Sequence, residues 1–281
     1  MASTHQSLHR KGVLLLVLTT AIWGTSFPLL KQTLSTLSPA VILAVRFSIA
    51  AIAVAPWFRS LNTQLIRDGV LLGCLYFVAG ATALVGLEST SANRAAFMVS
   101  LNVILVPLIG GLLGQRLSFK LLLATVLAIS GIGIMSWEGG GLNQGDFLTI
   151  GCAVGIAIYI LTLEAVAPRH PTLPLVAIQL LTMAVLSVIW SIPQLVEQIQ
   201  AISNHLGIFL YLGLVVTATP VWIQAIAQRW VPAHETALLY ALEPVFAAFF
   251  SFWLLREGFG VRGFVGAGLV LAATVFSQSR K

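Results

Sequence analysis

Charge is what this sequence has least of. Only 9% of its 281 residues are Asp, Glu, Lys or Arg, against 58% that are hydrophobic. A water-soluble domain carries about 25% charged residues. This chain cannot clothe a water-facing surface, so most of its outside must face lipid. Cysteine is almost absent as well. Cys74 and Cys152 sit singly in apolar runs without metal-ligand spacing and read as small packing residues. The five histidines, His5, His9, His170, His205 and His234, fall in termini or loops, which argues against a metal site. No Gly-rich phosphate loop follows a strand, and no nucleophile elbow or zinc-helix motif is present. These absences leave no catalytic residue to nominate and argue against an enzyme.

The net charge is +6, but the basic residues lie singly in short loops and at the termini. They form no stripe of the kind a nucleic acid needs and read as membrane-orientation signals, so no nucleic-acid partner is expected.

What the sequence has is apolar runs. A helix needs about 20 apolar residues to cross a bilayer core of about 30 Å. Spans are expected near 12–31, 39–58, 68–87, 92–113, 119–137, 146–166, 172–192, 207–228, 233–254 and 261–277. Ordinary turn chemistry separates them: Ser38-Pro39, the stretch 60–68, Gly139 to Asn143, and Pro171 with Pro174. The run after His9, Arg10 and Lys11 resembles a leader, but no small-x-small cleavage site follows it cleanly, so it is read as a first transmembrane helix. The stretch 193–206 is less apolar and reads as an extramembrane loop with a short surface helix.

Loop charges orient this arrangement. With the N-terminus in the cytoplasm, Arg10, Lys11, Arg59, Arg67, Arg116, Lys120, Arg169, Arg229, Arg280 and Lys281 fall inside. Lys31, Arg94, Arg256 and Arg262 fall outside, and Arg46 lies within a span. The bias puts both termini in the cytoplasm, as an even number of spans requires.

The chain also repeats itself. A shift of 133 residues lays Ala44-Val45-Arg46 on Ala177-Ile178-Gln179, Trp57 on Trp190 and Lys31 on Glu164. Further on the shift becomes 141, pairing Ala92 with Ala233, Leu101 with Leu242 and Asn102 with Glu243. Near the last span it becomes 142, pairing Gln115 with Glu257. The change from 133 to 141 falls in the 193–206 loop, where insertions belong. The two copies are 12–137 and 146–277. Five spans per copy is an odd number, so the second copy enters the membrane upside down. Inverted repeats are a transporter architecture with the site at the repeat interface near the midplane.

The sequence resembles the drug/metabolite transporter superfamily, specifically EamA-type permeases with two EamA repeats. In the first copy the resemblance rests on 23–31 (Trp23-Gly24-Thr25-Ser26-Phe27-Pro28 through Lys31), on Pro39 to Arg46 and on Thr90 to Pro107. In the second it rests on Pro232-Ala233, on Leu242-Glu243-Pro244-Val245-Phe246 and on Arg256-Glu257. It covers nearly the whole chain. It implies an all-α integral membrane protein of ten helices, export or exchange of a small metabolite or drug-like molecule, no cofactor and no covalent chemistry. It also implies a bacterial inner (plasma) membrane setting. One departure is that Glu257 keeps the acidic residue frequent after the ninth span, whereas position 115 is Gln.

Polar groups inside a membrane are costly and mark pathways or partners. Glu243, just before Pro244, is either a cavity-facing carboxylate and proton-coupling candidate or a structural carboxyl bonded to a neighbouring helix. Arg46 is an anion anchor, half of a structural pair for which Glu243 is a candidate partner, or a side chain snorkelling towards the interface; its mate Gln179 keeps polarity without charge. Asn102 is the mate of Glu243. Trp23, Phe27, Tyr76, Tyr159, Trp222 and Tyr240 are candidates for an aromatic wall, and Gln224 for a polar cavity group. Lys31 and Glu164 read as interface residues.

The leading expectation is a secondary carrier working by alternating access, driven by protons or a counter-substrate. The alternatives are an intramembrane enzyme, which would need catalytic groups the chain does not offer at one depth, and a non-transporting scaffold or receptor.

Overall fold

The computed structural model describes residues 2–58, 61–115, 117–136, 141–255 and 260–278; the side chains of 2–5, 27, 28, 92, 93 and 251–255 lie outside that description. Arg59, Arg116, Gly139, Gly140, Arg256, Glu257, Arg280 and Lys281 fall outside the described residues.

The chain is all-α among these residues, with no strand. The first half runs α1 (Ala2–Gly24), α2 (Ser26–Thr33), α3 (Pro39–Val54), α4 (Thr63–Ser89), α5 (Ala92–Ser100), α6 (Asn102–Leu112) and α7 (Phe119–Ser136). The second runs α8 (Gln144–Val166), α9 (Thr172–Leu195), the short α10 (Ile199–Asn204) and α11 (Leu206–Leu210), then α12 (Thr219–Ala227), α13 (Ala233–Tyr240), α14 (Glu243–Leu255) and α15 (Gly260–Gln278). A π-helical stretch, Tyr211–Ala218, joins α11 to α12 without a break.

Helix starts follow from local sequence. Ser38 accepts from the Val41 amide ahead of Pro39, whose missing N–H costs nothing at a first turn. Asn62 and Ser91 cap α4 and α5 through the Leu65 and Arg94 amides. Asn143 and Asp146 form a reciprocal capping box at α8.

Eight helices are long and apolar enough to cross a membrane among the described residues, and a shorter apolar helix spans Phe119–Met135. The expected span 233–254 differs: it is interrupted at Ala241–Leu242 into α13 and α14. Pro244 then lies in the first turn of α14, where proline is tolerated, instead of kinking a continuous helix.

Helices in lipid gain little from burying apolar surface against one another, so close contact between small residues does much of the packing. The main pairings are α7 with α15, α4 with α8, and α3 with α9; α4 also packs on α9, and α1 on α12. A Cβ on Gly131 would come within 2.6 Å of the Gly266 carbonyl oxygen, and one on Gly86 within 2.8 Å of the Gly145 oxygen. Gly131 and Gly266 are therefore a close helix contact, whereas a Cβ on Gly268 would meet nothing within 4 Å. Outward faces carry bare apolar side chains such as Leu112, Phe119 and Val261, as a lipid-facing surface requires.

Candidate functional site

Both fourth spans are broken at equivalent points. α5 ends at Ser100 and α6 begins at Asn102; α13 ends at Tyr240 and α14 begins at Glu243. Under the 141-residue shift, Asn102 and Glu243 coincide. Each thus opens the second piece of an interrupted helix; the breaks are slight, with the Ile104 amide still bonding Leu101 O and the Leu242 amide bonding Leu239 O. A carboxylate there meets the positive end of the α14 dipole.

These two residues face one cavity of about 130 Å³. Its wall also includes Trp23, Arg46, Tyr76 and Tyr240. Apolar side chains fill most of the rest, among them Leu43, Phe47, Leu84 and Leu87. Tyr240 and Trp23 pack edge to face, and so do Tyr76 and Tyr159, with centroids 4.9 and 5.0 Å apart.

The polar groups of the wall are held unequally. Arg46, only 8% exposed, donates from Nε to Thr217 Oγ1 at 2.5 Å, and its guanidinium lies 5.6 Å from the Phe47 ring centroid. Trp23 donates its indole N–H to the Val216 carbonyl at 3.1 Å. Both anchors lie in the π-helical stretch, where the Thr217 hydroxyl also bonds Leu212 O five residues back. Asn102 uses its amide N–H on Val99 O, leaving Oδ1 buried and, among the described residues, unpartnered. The Tyr240 hydroxyl is likewise buried without a partner among the described residues. Among the described residues no hydrogen bond or ion pair reaches the Glu243 carboxylate, so Arg46 and Glu243 share the cavity without pairing directly.

Other sequence candidates lie elsewhere. Tyr159, Gln179 and Gln224 form a fully buried layer behind the wall. Gln179 donates to the Tyr159 hydroxyl at 3.0 Å, Gln224 to Gln228 at 2.8 Å, and Gln228 to Ile160 O at 3.1 Å. Trp222 is 40% exposed on the outer face of α12 and away from the cavity. The side chain of Phe27 lies outside the described residues. Sequence reasoning missed Thr217, the partner of Arg46, and Cys152, which lines the cavity.

The model of the EamA-like transporter family matches residues 10–137 and again 143–278. The chain belongs to the EamA-like transporter family. It is a membrane transporter, and its cavity lies in a protein whose two halves each match the family. An uncharacterized transporter from Archaeoglobus fulgidus is 27% identical over 271 residues, covering 94% of this chain and 85% of that one. A solved crystal structure superimposes with a TM-score of 0.79 at 16% identity, covering 95% of both chains. At that identity the likeness speaks to the fold alone. As an EamA-like transporter, the chain handles a small molecule in a lipid setting.

Proposed function

We propose that this EamA-like transporter is a secondary carrier working by alternating access, with ten spans arranged as two inverted five-helix copies, 12–137 and 146–277. The eight long helices, the shorter Phe119–Met135 and the broken α13–α14 pair make up the ten. The observation that carries the reading is the shared cavity: interrupted helices from both copies bring Asn102 and Glu243 to one wall with Arg46. Broken helices meeting at a central site are the pattern of inverted-repeat carriers.

Topology has independent support. Polar contacts at helix ends join residues expected on the same side. Lys31 with Thr90, Arg94 with Asp146 and Ser38 with Gln198 are outside pairs. His9 with Glu235, His170 with Asp68 and Glu164 with Ala233 are inside pairs. We further propose that both termini are cytoplasmic, in a bacterial inner membrane: the contacts support the grouping of helix ends, and the loop-charge bias supports the choice of side.

The substrate is a small molecule with apolar bulk for the leucine and aromatic walls. It also offers an acceptor to Arg46 and a donor or cation to Glu243, Asn102 Oδ1 and Tyr240. Exporter or exchanger action is driven by a proton at Glu243 or by a counter-substrate. Single cysteines at positions 102 and 243 test the reading. Labelling by a small polar thiol reagent from at least one side is expected; if neither thiol reacts from either side, the carrier reading fails.

A further inference from the structure

The two halves also mirror each other at their ends. Arg94 is the third residue of α5 and Glu235 the third of α13, and the 141-residue shift superimposes them. Both cross to the other copy's first helix, Arg94 to its first turn and Glu235 to the eighth residue of α1. Arg94 pairs with Asp146 in the first turn of α8, and Glu235 pairs with His9 of α1 at 2.8 Å. The signs are exchanged, basic residue on α5 and acidic on α13, and the partners on the first helices lie about one turn apart in the repeat: the 133-residue shift lays Asp146 on Val13, four residues beyond His9.

A second equivalent pair flanks each of these. Lys31 and its mate Glu164 end the first helices of their copies. Lys31 Nζ donates to Leu87 O at 2.7 Å and Thr90 O at 3.1 Å, just ahead of α5. Glu164 accepts from the Ala233 amide at 3.0 Å, the first residue of α13, and from Gln115 Nε2 at 3.3 Å. Leu30 and Leu87 line the cavity, so the Lys31 contact sits at its outer rim.

The two ends are not equally strong. Asp146 is fully buried. It accepts from Thr90 Oγ1 at 2.8 Å, from Arg94 Nε at 3.2 Å and from the Asn143 amide at 2.9 Å, while Arg94 also reaches Gly141 O at 2.9 Å. At the inner end Glu235 accepts from His9 and from Gln278 Nε2 at 3.2 Å, and the His9 and Glu235 side chains are 29% and 23% exposed. Partly exposed pairs contribute less than buried, multiply bonded ones.

We infer that Arg94–Asp146 and His9–Glu235 are the outer and inner gates of the transport path, built on the repeat mates Arg94 and Glu235, with the inner one the weaker. The inference rests on the alternating-access reading. Closing one end requires the first helix of one copy to meet the fourth span of the other, and parting that contact opens the path on that side.

Native Cys152 provides a reporter, because it lines the cavity and the other cysteine, Cys74, is not in its wall. The protein carries Cys74→Ser and sits in membrane vesicles of each orientation. A trimethylammonium methanethiosulfonate, which does not cross lipid, is applied from one side, and modification of the Cys152 peptide is timed by mass spectrometry. Adding His9→Cys with Glu235→Cys and oxidising with copper phenanthroline should cross-link the inner gate. Cytoplasmic-side labelling then falls by about tenfold or more, and a reductant restores it. Arg94→Gln should raise labelling from the outer side several-fold. A cross-link that leaves cytoplasmic-side labelling unchanged, or a failure of the two thiols to cross-link, overturns the gate assignment. Cys152 that labels from neither side in any variant overturns alternating access itself, a separate outcome. If Arg94→Gln does not reach the membrane, the cross-link decides alone.

Discussion

Trp23 and Tyr240 meet edge to face, with ring centroids 4.9 Å apart and planes at 65°. The contact joins the first helix of one half to the last residue before the break in the other. Its two ends differ in polarity. The Trp23 indole N–H is used on Val216 O, which fixes the ring, whereas the Tyr240 hydroxyl is buried with no partner among the described residues. A buried hydroxyl without a bond is a cost to the fold, and such groups call for an explanation, a ligand among them.

Tyr240→Phe separates cost from use. Removing an unpaired buried hydroxyl should leave the thermal midpoint unchanged or raise it, by up to about 1–3 kcal/mol of relieved desolvation. Ligand-induced stabilisation should fall at the same time. A thermal-shift series of amino acids, amines, nucleosides and sugars, run on both proteins, makes the comparison. A midpoint that drops in the variant would mean the hydroxyl already has a partner in the fold.

Glu243→Gln should impair transport without affecting insertion. Its carboxylate meets no hydrogen-bond donor among the described residues, so the amide breaks no bond. Removing a central charge lowers the insertion cost by about 2–3 kcal/mol. Uptake into proteoliposomes under an imposed proton gradient should fall by about tenfold or more. Wild-type rates with unchanged pH dependence would take Glu243 out of the coupling step.

Much of this was legible in the sequence because lipid imposes a simple rule: apolar runs of fixed length, broken by turn residues. Asn102 and Glu243 were paired by repeat arithmetic alone. The end pairs were not legible. Arg94 and Glu235 each look like ordinary loop charges, and only tertiary packing brings them to Asp146 and His9. Trp222 shows another limit. On a helix apolar all round, hydropathy carries no phase, so its outward direction is set by packing. The π-helical stretch has no local signature either; Thr217 and Thr219 bond carbonyls five residues back only in the finished fold.

Gly131→Ala tests the closest helix contact. The added methyl would lie 2.6 Å from the Gly266 oxygen and 2.9 Å from Leu269 Cβ, with backbone on one side and no flexible tip to give way. Overpacking of this kind costs about 1–3 kcal/mol, so the midpoint should fall. Gly151→Ala, where a Cβ meets nothing within 4 Å, should be neutral or slightly stabilising through helix propensity. Differential scanning fluorimetry of the two variants in one detergent decides the matter; equal midpoints would mean α7 and α15 separate at little cost.

Thr217→Val tests whether Arg46 depends on its one described hydrogen-bond partner. The substitution keeps the shape of the side chain and removes the oxygen that accepts from Arg46 Nε and donates to Leu212 O. A guanidinium that is 8% exposed would lose a charge-assisted bond worth about 1.5–3 kcal/mol, and the π-helical stretch would lose a tie. Thr217→Ser keeps the hydroxyl and should stay near the parent stability. The expected order of thermal midpoints is therefore parent and Ser together, with Val below. If Val matched Ser, Arg46 would have found another acceptor. Glu243 is the carboxylate-bearing residue of the same wall, without a hydrogen bond among the described residues, so Glu243→Gln combined with Thr217→Val should then be worse than the two losses added.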